Sequence, residues 1–307
     1  MPADPDGSTV PEVHYALPPA LAEHARAWVE RGGVAAPTKD ASTVMLVRDG
    51  EAGTPGDLEV FVLRRAATMA FAASAYVFPG GGVDDRDAEE ALPWAGPSPQ
   101  EWARRVAAPG EAQARELVAA AARELFEECG VLLAGPDEST VVADLTGPEW
   151  DEARVALVGR EISFAEFLLQ RGLVLRTDLL RAVDHWITPE FEPRRYDTRF
   201  FVAELPAGQV PDDDCTEAEH VRWVRPADLL AEQRAGQALL LPPTEVSLGM
   251  LAYDRDAHEA GGWDGSAASL MAGLDVSDPL PVVLPVPVLT ETGVAVARRW
   301  AVAEGSA

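Results

Sequence analysis

One stretch of this chain must satisfy two opposed demands within a few turns of helix. Leu117, Ala121, Leu125 and Cys129 recur every four residues and form an apolar stripe. Glu124, Glu127 and Glu128 stand at i, i+3 and i+4, so three carboxylates project from another face of the same helix within a few ångströms of each other. Gly130 supplies the stop. Adjacent anions repel, and the usual compensation for clustered hard oxygen ligands is a divalent cation such as Mg²⁺ or Mn²⁺. A solvated acidic helix face is the plainer alternative for the same three residues.

Composition narrows the classes open to the chain. It has 307 residues with 51 acidic against 25 basic side chains, a net charge of −26. Nucleic acid is disfavoured as a partner, because phosphate backbones are bound through lysine and arginine patches. The same field repels free polyphosphate, so a phosphate site here has to be built locally from metal ions and a few placed arginines. A hydrophobic content of 47% suffices for a sizeable core. Cys129 falls on the apolar helix face and Cys215 in an acidic loop; both read as thiols, and no C-x-x-C suggests zinc or redox work. The amino terminus lacks the basic and apolar regions of a signal peptide, and no apolar run approaches about 18 residues. The carboxyl terminus carries no S-K-L type address. The expectation is a soluble cytoplasmic enzyme with no membrane association. No G-x-S-x-G, Walker loop or spaced G-x-G-x-x-G occurs, leaving serine hydrolase, P-loop and Rossmann readings without support.

The patterning predicts an amino-terminal arm over residues 1–37 with a helix at Pro19 to Arg31. Strands are expected at Ser42 to Arg48 and Leu58 to Arg65, with a short extended piece at Tyr76 to Phe78 entering a glycine turn. After the acidic helix come helices near Glu149 to Leu157 and Ser163 to Arg171, strands near Ala182 to Ile187, Thr198 to Leu205 and His220 to Val224, and helices at Pro226 to Ala235 and Pro242 to Ala257. Gly261 to Gly273 reads as loop and Pro281 to Leu289 as extended but interrupted by proline. Strands alternating with helices favour a mixed α/β sandwich.

The string Arg123-Glu124-Leu125-Phe126-Glu127-Glu128-Cys129-Gly130-Val131 matches the core of the box that marks the Nudix hydrolases, R-E-U-x-E-E-x-G-U, where U is aliphatic. The full pattern, G-x5-E-x7-R-E-U-x-E-E-x-G-U, is interrupted. Its glycine lies in Phe78-Pro79-Gly80-Gly81-Gly82, and Gly81 precedes Arg123 by 42 positions (123 − 81) instead of 14. The intervening segment, about residues 83–110, is rich in Pro and Gly and reads as an inserted loop. Position 115, where the pattern has glutamate, is Arg115, with Glu116 one residue late. An interrupted box resembles the acyl-coenzyme A diphosphatase branch of that family. Val62-Leu63-Arg64-Arg65, Ala75 to Gly81, Val83-Asp84-Asp85, His185-Trp186-Ile187-Thr188-Pro189, Arg194 to Phe201 and Leu241-Pro242-Pro243-Thr244 are similar to the same branch.

The resemblance implies a Nudix-type α/β/α sandwich with a mixed β-sheet and an insertion inside the box. The hydrolase domain would span 38–259, with 260–307 an extension or the completion of its core. It implies Mg²⁺ or Mn²⁺ held by Glu124, Glu127 and Glu128, a Gly80 carbonyl in the metal shell, and a further acid six positions before Trp223, which is Glu217, with Glu219 as competitor. Arg123 would fix a neighbouring glutamate, and Glu124 would orient or deprotonate water. Arg64, Arg65, Gly81, Arg195 and Arg199 are the substrate-binding candidates, although Arg195 and Arg199 suit internal ion pairs equally. His185 reads as a packed core histidine. The implied substrate is a nucleoside diphosphate linked to another moiety, first coenzyme A or acyl-CoA, giving adenosine 3′,5′-bisphosphate and a 4′-phosphopantetheine species. ADP-ribose, NADH, a dinucleoside polyphosphate, or a nucleotide-binding regulator without turnover are the alternatives. The family likeness leaves room for a homodimer.

Overall fold

The computed structural model describes residues 14–17, 19–50, 57–66, 74–212, 218–252, 263–274, 279–290 and 293–301. These form two compact units, the larger built from residues 40–184 and 198–280, the smaller from 1–39, 185–197 and 281–307.

In chain order the elements are β1 (His14–Ala16), α1 (Pro19–Glu30), β2 (Thr38–Asp49), β3 (Leu58–Arg65), β4 (Tyr76–Val77), β5 (Gly80–Gly82), β6 (Trp94–Ala95), α2 (Pro99–Arg105) and α3 (Glu111–Cys129). They continue with β7 (Ala134–Gly135), α4 (Pro148–Val158), α5 (Phe164–Arg171), β8 (Val174–Arg176), β9 (Leu180–Ile187) and β10 (Arg195–Glu204). The last are β11 (Ala218–Val224), α6 (Pro226–Arg234), α7 (Pro242–Leu251), α8 (Ala267–Gly273), β12 (Val282–Thr290) and β13 (Gly293–Ala301).

In the larger unit the strands run β9-β10-β2-β3-β11, with β4 beside β3 and β5 beside β2. Val44 to Val47 and Val60 to Leu63 are buried at every position. Side chains alternate across a strand, so continuous burial means both faces of the sheet are covered. On one face Val44, Leu46, Phe61, Leu63 and Phe201 pack against Leu117, Val118, Ala121 and Leu125 of α3. A second cluster on α3, with Ala119, Ala122 and Phe126, packs on Phe164, Phe167 and Leu168 of α5. Phe126 stacks on Phe167 with ring centroids 5.1 Å apart. Two packed flanks hold α3 between sheet and helices. A Phe126→Ala truncation at such a site costs about 3–5 kcal/mol. Helix α3 is rich in alanine, leucine and glutamate, good helix formers. It ends at Gly130, which takes the left-handed conformation (φ 68°) and donates its N–H to the Phe126 carbonyl.

In the smaller unit the order is β1-β13-β12-β9, where β12 runs parallel to β9 through Val282 and Val283 beside His185 and Trp186. That parallel pairing among antiparallel neighbours makes the sheet mixed. Phe191 and Ala25 form a small core there, with Leu21 and Trp28 of α1.

Three expectations change. The glycine turn is a strand, β5, paired antiparallel with Ala41, Ser42 and Thr43. The insertion is more than a loop: it contains a 3-10 turn at Asp85–Ala88, β6 and α2, whose Trp102 is fully buried against Phe201. Proline and glycine dominate its composition, yet Ser98 caps α2 by accepting from the Glu101 N–H. Gly261 to Gly273 was expected to be loop, but α8 forms over its second half. Ser266 accepts from the Ser269 N–H, and Leu270 and Met271 are buried. Helix α7 ends at Leu251, and the remainder of that predicted helix, residues 253–257, lies outside the described residues.

Candidate active site

The last two turns of α3 lie against β5. In β5 the Pro79 carbonyl accepts from Val44 N–H and the Val83 N–H donates to the Asp40 carbonyl. Antiparallel pairs alternate, so Gly80 and Gly82 turn their peptide groups away from β2, toward the helix. The Gly80 N–H donates to Glu128 Oε2 at 2.8 Å, and the Gly82 carbonyl accepts from Arg123 Nη2 at 3.0 Å. The Gly80 carbonyl shares that edge. A methyl group at Gly81 would stand 2.5 Å from the Glu124 carboxylate, so only glycine lets this acid lie on the strand.

Arg123, 7% exposed, is the hub. Its Nε and Nη2 donate to Asp87 Oδ1 and Oδ2, both at 2.9 Å, as a bidentate pair. Its Nη1 donates to Glu124 Oε1 at 2.8 Å and to Glu127 Oε2 at 3.2 Å. One guanidinium therefore faces three carboxylates. Burial works against its charge, but Asp87, Glu124 and Glu127 outweigh burial and hold its pKa above the ordinary arginine value. The acids receive too little in return. Burial, opposed by Arg123 and reinforced by repulsion from Glu127, pushes Glu124 up to about 7. Burial also raises Glu127, with Arg123 opposing and Asp87 adding to the rise.

Asp87 is not found by the pattern's spacing back from Arg123, which lands on Arg115. Counting forward from Gly81 with the same G-x5 spacing lands on Asp87. The interruption therefore falls after the acid position, and aspartate stands where the pattern has glutamate. Arg115 instead places its guanidinium 5.1 Å from the Trp94 ring centroid. Glu116 is near Asp40, Asp87 and Asp85, and burial and then these neighbours raise its pKa.

The other predicted residues scatter. Arg64 is exposed at the end of β3, opposite Tyr76. Arg65 follows it, and its buried Nε has no hydrogen-bond partner among the described residues. Arg199, 3% exposed, donates through Nε to the Val106 carbonyl at 3.0 Å and lies 4.0 Å from Asp40. In the smaller unit Arg195 donates to the Thr188 and Ala36 carbonyls, at 3.0 and 2.7 Å, and buried His185 pairs with Asp197. Glu219 is exposed at a register shift of β11. Glu217 and Cys215 lie outside the described residues.

Among the described residues no three acid, histidine or cysteine side chains form a closed metal-holding group. Arg123 and the Gly80 N–H take the inward oxygens. The donor chemistry fits a hard divalent cation: three carboxylates on one helix face, two with raised proton affinity, packed over a strand stripped of Cβ atoms. No described helix is long and apolar enough to cross a membrane.

No family model matches the chain. A solved NUDIX hydrolase from Alicyclobacillus acidocaldarius superposes with a TM-score of 0.61 at 27% identity, over 78% of this chain and 98% of that one. With the box geometry above, this likeness gives the chain the fold and the acidic box of the Nudix hydrolase superfamily. The chain is 25% identical over 242 residues to acyl-coenzyme A diphosphatase NUDT19 of Xenopus laevis, and 27% identical over 197 residues to the Caenorhabditis elegans protein named "Putative nudix hydrolase 7". Those matches cover 66% and 64% of this chain but 62% and 57% of the relatives' own lengths.

Proposed function

We propose that the chain is a divalent-metal-dependent diphosphatase that cleaves a nucleoside diphosphate linked to another moiety, with coenzyme A or acyl-CoA as first substrate. The chemistry is assigned to a domain of residues 38–259. The observation that carries the reading is the unmet demand for positive charge where Glu124 and Glu127 share one guanidinium beside Gly80–Gly82. The likeness to an acyl-coenzyme A diphosphatase supports the substrate class.

Glu124, Glu127 and Glu128, with the Gly80 carbonyl and Glu217, would hold Mg²⁺ or Mn²⁺, which supplies charge neutralisation at phosphoryl oxygens and a more acidic water. Arg123 orients Glu124 and Glu127 and is itself held by Asp87. Glu128 is held by the Gly80 N–H. Glu124, whose carboxylate lies over the glycine strand, accepts the proton of the attacking water. Water oxygen bonds to phosphorus, the bridging P–O bond breaks, and the leaving phosphate takes the electron pair. Arg64 and Arg65, at the end of the strand beside β4, are the pair assigned to substrate phosphates, and the exposure of Arg64 supports that role. Gly81, without a Cβ, lets the Glu124 carboxylate lie on the strand.

The test is mass spectrometry of products from coenzyme A, ADP-ribose, NADH and diadenosine polyphosphates, with Mg²⁺, Mn²⁺ or chelator. Metal-dependent release of adenosine 3′,5′-bisphosphate from coenzyme A is expected, with loss of more than about 100-fold in Glu127→Gln and Glu128→Gln. Cleavage of a different substrate would discard the coenzyme A assignment alone. Absence of any metal-dependent cleavage would leave a nucleotide-binding regulator.

A further inference from the structure

The last four carbonyls of a helix have no partner within it, and their exposed dipole ends are negative. In α3 this end coincides with Glu124, Glu127 and Glu128, so it is the least favourable place in the helix for more negative charge. All four carbonyls are nonetheless accounted for. Phe126 accepts from the Gly130 N–H, at 2.9 Å. Arg154, reaching across from α4, donates Nε to the Glu127 carbonyl at 2.7 Å and Nη2 to the Glu128 carbonyl at 3.3 Å. The Cys129 carbonyl accepts from the Asp212 N–H at 2.8 Å, and Arg154 Nη1 closes the arrangement on the Asp212 carboxylate. The Arg154 side chain is 15% exposed, and its Nη1 lies against Gly130, 3.6 Å from where a Cβ there would stand.

We infer that Arg154 is a positioning residue for the acidic site: by bonding the backbone carbonyls of Glu127 and Glu128 it fixes the helical turn from which both carboxylates project. The inference rests on the proposed metal-dependent reading. Arg154 lies outside the box, 24 positions beyond Gly130 (154 − 130), and nothing in its local sequence marks it. A planar fork is required, because one side chain must reach two successive carbonyls and a carboxylate at once. Lysine, a single charged point on a flexible stem, cannot hold all three.

The experiment measures Mn²⁺ binding by electron paramagnetic resonance, without substrate, in wild type, Arg154→Ala, Arg154→Lys and Leu157→Ala. The last removes buried α4 packing without touching the carbonyls. Circular dichroism establishes which variants fold. Both Arg154 variants are expected to bind Mn²⁺ about 10–100-fold more weakly, as loss of groups that orient ligands does. Hydrogen exchange is expected to show the last turn of α3 fraying in them, while Leu157→Ala keeps wild-type affinity when folded. If Arg154→Ala does not fold, Arg154→Lys decides. Weakening of threefold or less in the folded Arg154 variants overturns the inference even if the helix end frays, because Arg154 would then be a cap only. Equal weakening in folded Leu157→Ala overturns it too. Failure of wild type itself to bind Mn²⁺ refutes the metal reading instead.

Discussion

Replacing Glu124 by glutamine is expected to stabilise the metal-free protein at pH 8 and to leave it nearly unchanged at pH 5. Burial raises this carboxyl from an ordinary 4.5 to about 7. In the unfolded chain the proton leaves near the ordinary value, whereas the folded protein retains it to about 7. The associated stability is therefore fully present below the ordinary value and lost as pH rises through 7. At about 1.4 kcal/mol per pH unit the loss is about 3 kcal/mol. Glutamine mimics the protonated form and keeps an oxygen for Arg123 Nη1, and the charge-assisted bond it gives up is already counted in the value of about 7, where Arg123 opposes burial. The net gain at pH 8 is then about 3 kcal/mol, read by urea unfolding in chelator with an unchanged slope. Adding Mn²⁺ should reverse the ranking, because only the wild type gains the full binding energy. A variant less stable at pH 8, or differing from wild type by the same amount at both pH values, would refute the account of Glu124 as a carboxylate ionised against its surroundings.

Asp87→Ala should cost about 1–3 kcal/mol in urea unfolding, since it removes the bidentate partner of Arg123 and leaves its buried Nε without an acceptor; wild-type stability would mean that Arg123 does not depend on this bidentate pair. Gly81→Ala places a methyl 2.5 Å from the Glu124 carboxylate, so a loss of about 1–3 kcal/mol and weaker Mn²⁺ binding are expected. Thermal unfolding and Mn²⁺ titration would check both, and an unchanged Mn²⁺ affinity would show that Glu124 need not lie on the strand. Trp102→Ala should cost about 3–5 kcal/mol by thermal or urea unfolding. A loss below about 1 kcal/mol would show that the insertion contributes little to the core.

Local signals carried far. The acidic helix, its glycine stop, the strands at β2 and β3 and the helices α4 to α6 all follow from periodicity and end signals that act within a few residues. The run Arg123 to Val131 alone was enough to put Glu124, Glu127 and Glu128 on one helix face, because helix geometry sets that spacing whatever surrounds it. The insertion was less legible: its turn residues outweighed the one buried tryptophan that anchors α2, and the short apolar pair of α8 has no periodicity to read.

What the chain's sequence determined by itself was which residues share a helix face and which glycines lack a Cβ. Only tertiary structure decided what those faces meet. Asp87 reaches Arg123 across 36 positions (123 − 87), and Arg154 reaches the end of α3 from another helix. The raised proton affinity of Glu124 is likewise a product of packing, since an isolated helix would leave that carboxylate in water. Residues 3 or 4 apart are neighbours by geometry, but residues 36 apart become neighbours only when burial of the core brings their segments together, and no local pattern encodes that distance.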